Sequence, residues 1–339
     1  MAITAFFASV ALSAVYVFLL ILSPLAEWSL DRANQRSLHA TPTPRVGGIA
    51  ILLAIATTML FLRPTGIPTI LLASAACLAM VSSIDDRRNL PVALRLFVHA
   101  TVATIVAVNW LGAGEFFITV TSVCVIVAIT IAICWMSNLF NFMDGANGMA
   151  GGMAFFGFGG YAIAAALSPE NGAGITIVAA TISGATLGFL FFNFPAGRVF
   201  LGDAGSIPLG FLAIALGIQG YLQGMWPWWF GLLIFSTFIV DATATLLKRL
   251  FRGEKIWVAH REHYYQRLIL SGWSHRKSVT SYYFLMLGST LSALASQNGN
   301  FLYPIAGFWV ITYASLLMYL EWRFSQDEKR QDRKTLGAK

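Results

Sequence analysis

The chain has 339 residues, of which 57% are hydrophobic and 11% charged, with a formal net charge of +7. Soluble domains carry about 25% charged residues, so this surface is too poorly charged to face water throughout. The mean hydropathy of +0.71 points the same way. The positive excess lies in short loops and a tail, as expected for the inner side of a membrane protein, which argues against a nucleic-acid partner.

A helix needs about 20 apolar residues to cross the hydrocarbon core. Eleven segments qualify in chain order: 3–23, 46–62, 67–84, 91–109, 115–136, 149–168, 173–192, 207–223, 226–247, 279–295 and 301–320. The first has no basic flank ahead of it and is longer than a signal-peptide core, so it is expected to remain as a span. The fourth is the least clean, because Arg95 and His99 sit near its start. His99 reads as a packing residue. Cys77, Cys124 and Cys134 lie in apolar stretches, read as buried hydrophobes, and predict no disulfide.

The breaks between spans alternate in character. One set comprises 24–45, 85–90, 137–148, 193–206, 248–278 and 321–339, and the Lys and Arg that lie in breaks gather there, with Arg63 the exception. The inside-positive bias then places that set in the cytoplasm and the N-terminus outside. The expected fold is an all-α integral membrane protein of about eleven transmembrane helices with a cytoplasmic C-terminus. Residues 1–320 form its membrane domain, and 321–339 form a charged cytoplasmic tail, read as an exposed extension.

The basic side also carries the acidic breaks. Asp85-Asp86-Arg87-Arg88 ends the third span. Adjacent carboxylates repel unless a cation or shared proton relieves them. They can hold Mg²⁺, or more plainly cap the helix and pair with Arg87 or Arg88. Next, polar residues recur every three positions at Asn138, Asn141, Asp144 and Asn147, followed by Gly148. That spacing keeps them near one face if the helix continues, where they can bind a metal, a sugar or a base. The segment Phe200-Leu201-Gly202-Asp203-Ala204-Gly205-Ser206 precedes the eighth span. Its glycines offer backbone N–H groups to an anion, Asp203 offers a carboxylate to a cation, and Ser206 reads otherwise as an N-cap. It lacks the Lys-Ser/Thr element of a phosphate loop.

The longest break, 248–278, holds His260-Arg261-Glu262-His263-Tyr264-Tyr265. Arg and His side chains there can pair with phosphate oxygens. Arg45, in Pro42–Gly48, can do the same, and Asp241 near the end of the ninth span marks a functional or satisfied ionisable group. Carboxylates alone would repel a phosphate, whereas with a divalent ion they bind it. The combination predicts phosphoryl transfer onto a lipid phosphate at the membrane rim.

In these motifs the chain resembles the polyprenyl-phosphate N-acetylhexosamine-1-phosphate transferases over about residues 1–320. Eleven spans and Pro42–Gly48 resemble the branch that initiates O-antigen. The resemblance implies transfer of an N-acetylhexosamine-1-phosphate from a UDP-sugar to undecaprenyl phosphate, with release of UMP, in a bacterial inner membrane. It implies Mg²⁺, with Mn²⁺ as an alternative ion. Asp85 and Asp86 would organise the lipid phosphate. Asp203, with Asp144, would bind the metal. Asn138, Asn141 and Asn147 would shape the nucleotide pocket, and Phe200 would meet uracil. His260, Arg261, His263 and Arg45 would meet phosphate or sugar. The partners are the two substrates and membrane lipids, and an oligomer is compatible with the sequence.

Two features depart from the family pattern. Its second Asp is Asn147 here, and its histidine cluster is thinned to His260, His263, Tyr264 and Tyr265. The thinned cluster resembles variants using modified sugars such as UDP-N-acetylfucosamine or UDP-N-acetylquinovosamine. UDP-N-acetylglucosamine is the alternative donor.

Overall fold

The computed structural model describes residues 1–31, 41–88, 90–111, 119–168, 172–255, 258, 260–299 and 301–336, with side chains as far as Asp327. In chain order the elements are α1 (Ala2–Ile21), α2 (Pro24–Trp28), β1 (Leu30–Asp31), β2 (Thr43–Pro44), α3 (Gly47–Leu62), α4 (Thr69–Arg88), α5 (Val92–Leu111), α6 (Val120–Met143), α7 (Met149–Leu167), α8 (Ala173–Asn193), α9 (Asp203–Leu222), α10 (Phe230–Ile234), α11 (Ser236–Phe251), α12 (Tyr264–Leu270), α13 (His275–Ala295) and α14 (Leu302–Leu336). The protein is a multi-pass, all-α membrane protein. Among the described residues eight helices are long and apolar enough to cross a bilayer: α1, α4 to α9, and α14. The only addition to the helices there is the antiparallel pair Leu30–Pro44 and Asp31–Thr43.

Small residues explain the packing. Hydrophobic contact gives helices little reason to associate within lipid, so close backbone approach matters. α8 is the most enclosed span, 83% of its central window being buried, against 11% for α14. A Cβ at Gly184 would lie 2.3 Å from the Phe6 carbonyl oxygen, and one at Gly188 would lie 2.4 Å from that of Val10. α1 answers with a buried stripe of Ala5, Ser9, Ser13 and Val17 at helical spacing. Thr176, Thr181 and Thr186 on α8 return their hydroxyls to carbonyls one turn back, so these three polar side chains are satisfied within the helix.

Two expected spans differ from their sequence reading. Segment 226–247 is not one helix; α10 and α11 meet at Phe235. The Ser236 hydroxyl donates to the Leu233 carbonyl, and Ser236 and Thr237 both bond the Tyr313 hydroxyl. Phe235 turns its ring onto Phe140, Phe158 and Tyr161. The eighth span starts earlier than expected. Gly202, at φ +72°, is the cap, and Asp203 is already helical. Ser206 is therefore a buried helical residue rather than a cap, and Pro208 lies inside α9.

Candidate functional site

α3 and α9 meet through their glycines. Gly47 and Gly48 donate their N–H groups to the carbonyls of Phe200 and Leu201, and the Phe200 N–H returns to Pro44. A Cβ on Gly48 would lie 2.3 Å from the Gly205 nitrogen, so only glycine allows this approach. Phe200 is half-buried in that paired segment, directly before Gly202. The Gly202-Asp203-Ala204 turn is thereby fixed against the start of α3.

The carboxylates gather around this turn. Asp203 accepts from Asn141 Nδ2 at 2.7 Å, and the same amide reaches Ser206 Oγ at 3.2 Å. Asp144 is the C-cap residue of α6 and lies near the Gly202 N–H, while Asp86 lies near the Ala204 N–H. Burial, then the nearby negative charge of Asp203, pushes the Asp144 carboxyl well above the ordinary carboxylate range. Arg45 reaches in from the segment after β2, with Nη1 3.4 Å from Asp86 Oδ1 and Nη2 2.8 Å from Asp31 Oδ1. Asp85 faces the other way. It accepts from Arg95 Nη1 at 2.7 Å and from the Leu90 N–H at 2.7 Å. The arginine partners of the acidic pair thus come from distant segments, Arg45 and Arg95, and not from Arg87, which lies over Trp28.

A cavity of about 520 Å³ opens beside this cluster. Asp85, Arg95, His99, Asn138, Asn141 and Asp203 line one part of it. Apolar side chains of α4, α5 and α6, among them Leu96, Ile131 and Trp135, line the rest. His99 is buried, and its Nδ1 has no hydrogen-bond partner among the described residues. His99 therefore faces a cavity, not only helix packing. Asn138 also donates to the Cys134 carbonyl at 2.7 Å.

The late loop closes over the α6 end. The His263 ring stacks on Phe142 with centroids 6.1 Å apart, and His260 lies 4.8 Å from His263. Burial, then His263 and Arg249, lowers His260 to about 4, so it is a neutral imidazole at pH 7. Arg261 has no ion-pair partner among the described residues, whereas Arg249 and Arg252 are both taken by Glu254 and Glu262. Asn147 is the outlying member of its polar row. Its amide turns to the Pro195 carbonyl at 3.3 Å, because the helix ends at Met143 and the spacing of three no longer applies.

Three residues that hold this geometry carry no site role in the sequence reading. Asn193 links the Gly148 N–H to the Val199 carbonyl. Tyr265 bonds Gly145 and Phe142. Glu321, beyond the expected membrane domain, accepts from Lys248, Tyr264 and Arg267, and Phe324 packs buried beneath the Arg267 guanidinium at 4.1 Å. The start of the tail is thus docked rather than exposed. Tyr265 had one sequence signal, its place in the thinned histidine cluster. The other two had none.

Among the described residues no group of three or more His, Cys, Asp or Glu side chains is arranged as a complete metal cage. A family model described as glycosyl transferase family 4 matches residues 68–221. The chain is 30% identical over 303 residues to a phospho-N-acetylmuramoyl-pentapeptide-transferase of Desulforamulus reducens, covering 79% of this chain and 86% of that one. It is 28% identical over 346 residues to an undecaprenyl-phosphate alpha-N-acetylglucosaminyl 1-phosphate transferase of Yersinia pestis, covering 91% and 89%. A probable undecaprenyl-phosphate N-acetylglucosaminyl 1-phosphate transferase of Bacillus subtilis is 25% identical over 287 residues, covering 80% and 78%. With its helix ends, acidic turn and late loop in one place, the chain belongs to the polyprenyl-phosphate N-acetylhexosamine-1-phosphate transferases of glycosyl transferase family 4.

Proposed function

We propose that this protein transfers N-acetylglucosamine-1-phosphate from UDP-N-acetylglucosamine to undecaprenyl phosphate at the cytoplasmic face of a bacterial inner membrane, releasing UMP and starting a surface polysaccharide such as O-antigen. The observation that carries the reading is the meeting of the α4, α6 and α9 ends with the 260–266 loop around Gly202-Asp203-Ala204. The donor follows the relatives from Yersinia pestis and Bacillus subtilis, whose names specify N-acetylglucosamine. Neither name supports the modified sugars that the thinned histidine cluster suggested. Eleven crossings, with the N-terminus outside and the C-terminus inside, remain the proposed topology. The eight long apolar helices, α3, the broken α10–α11 pair and α13 coincide with the eleven segments.

The residues fit a divalent ion. Asp144 and Asp203 are close enough to repel each other, and Asn141 already fixes the Asp203 carboxylate. A cation relieves such a pair. Mg²⁺ takes one or two carboxylates and fills its shell with water and substrate phosphate, so a complete protein cage is not required. Asp203 and Asp144 would hold it, with Mn²⁺ able to replace it. When bound, the ion neutralises charge on the donor pyrophosphate.

The remaining work falls to the chain. The cavity bordered by Leu96, Ile131 and Trp135 suits a prenyl chain whose phosphate rests near Arg95 and Asp85. There an acceptor oxygen attacks the β-phosphorus of the donor; the bond from that phosphorus to the oxygen bridging to UMP breaks, and UMP carries the electron pair away. Arg261 and neutral His260 donate hydrogen bonds to phosphate or sugar oxygens. Arg45 steadies Asp86. Asn138 and Asn141 line the acceptor cavity beside Asp203, and Phe200, directly before Gly202, meets the nucleotide, while Asn147, turned to Pro195, stands apart. Membranes bearing the protein, given undecaprenyl phosphate, Mg²⁺ and a panel of UDP-sugars, are expected to turn over UDP-N-acetylglucosamine fastest. Faster turnover of UDP-N-acetylfucosamine or UDP-N-acetylquinovosamine would replace the proposed donor.

A further inference from the structure

Tyr265 is fully buried and joins the two halves of the site. Its backbone is tied to α11: the N–H groups of Tyr264 and Tyr265 donate to the two oxygens of Asp241 at 3.0 and 3.1 Å. Asp241 is itself buried, accepts from the Tyr282 hydroxyl, and lies 3.5 Å from His263 Nδ1. The side chain of Tyr265 then crosses to the end of α6. Its hydroxyl donates to the Phe142 carbonyl and accepts the Gly145 N–H, both at 3.0 Å. Those two backbone groups bracket Asp144. The fit leaves no slack, since a Cβ on Gly145 would lie 2.3 Å from the phenolic oxygen. The Gly202 N–H lies near Asp144 on its other side.

We propose that the Tyr265 hydroxyl is a positioning group that sets Asp144 against Asp203, with Asp241 anchoring Tyr265 in turn. The inference rests on Asp144 and Asp203 as the ion's ligands. Asp203 is already fixed at the start of α9, whereas Asp144 lies just past the last residue of α6, where the helix no longer holds it. A phenyl ring at 265 would fill the same space and make neither bond.

The test compares wild type, Tyr265→Phe, Asp241→Asn and Tyr313→Phe in detergent. Tyr313 is a buried phenol bonded to Ser236 and Thr237, outside the site, and controls for lost hydrogen bonds. Mn²⁺ binding is read by electron paramagnetic resonance, alongside Tm and UMP release. Loss of two fixing bonds is expected to weaken Mn²⁺ binding about tenfold in Tyr265→Phe. Asp241→Asn should shift it the same way, and Tyr313→Phe should bind as wild type despite a similar fall in Tm. If Tyr265→Phe does not purify as a single species, Asp241→Asn carries the comparison. Variants that bind Mn²⁺ like an active wild type overturn the inference alone. A wild type that neither binds Mn²⁺ nor releases UMP overturns the reading of the site and the inference with it.

Discussion

Asp144 illustrates how a single carboxyl is tuned here. Burial and then Asp203 raise it, so the folded state favours its protonated form. The stability it contributes is therefore full below the ordinary carboxylate value of about 4 and is lost as pH rises through the raised one. With the divalent ions chelated, Tm in detergent should fall as pH rises above about 4. Mg²⁺ should reduce that fall, and Asp144→Asn should flatten it; a Tm profile identical in wild type and variant would refute the assignment. The residue types at this site were legible in the sequence, since the paired Asp85-Asp86 and the polar row Asn138, Asn141, Asp144 stand out at the ends of apolar segments. Their partners were not. Asn141 meets Asp203 across 62 residues and Tyr265 meets Gly145 across 120, and no local pattern encodes such contacts.

Elements place these residues through close approach. α3 touches α9 where Gly48 faces Gly205. Gly48→Ala should push the helices apart and cost about 1–3 kcal/mol, the usual range for overpacking; an unchanged Tm would show that the contact yields. The late loop is held separately, by α14. Glu321→Ala should free Lys248 and Arg267 and raise the donor KM severalfold with a smaller effect on kcat, while truncation after Asp327 should change neither. Equal effects on donor and acceptor KM would argue against a loop clamp. Hydropathy located the helices because lipid imposes length and composition. It missed the Phe235 break, which depends on two hydroxyls meeting Tyr313, and it missed the docking of the tail through Glu321 and Phe324, whose partners lie on α11 and α12.

For the molecule as a whole, the account requires a topology and a reaction. In a background free of Cys77, Cys124 and Cys134, Thr65→Cys should label from outside intact cells and Glu254→Cys only after lysis. The reverse pattern would invert the protein. The alternation of charged and bare breaks was enough to propose this orientation, because the bias acts on short loops and not on the fold. The convergence of the acidic ends could be expected only from chemistry, since carboxylates gathered on one rim repel unless a cation, an arginine or a shared proton relieves them.

The most direct measurement gives purified wild type and Asp203→Asn undecaprenyl phosphate, UDP-N-acetylglucosamine and Mg²⁺, and counts UMP and lipid-linked sugar phosphate together. The wild type should form the two in equal amounts, and Asp203→Asn should fall by about 100-fold or more, the scale expected when a group supporting charge at a reacting phosphate is removed. Absence of lipid product from the wild type, or full turnover by Asp203→Asn, would contradict the account.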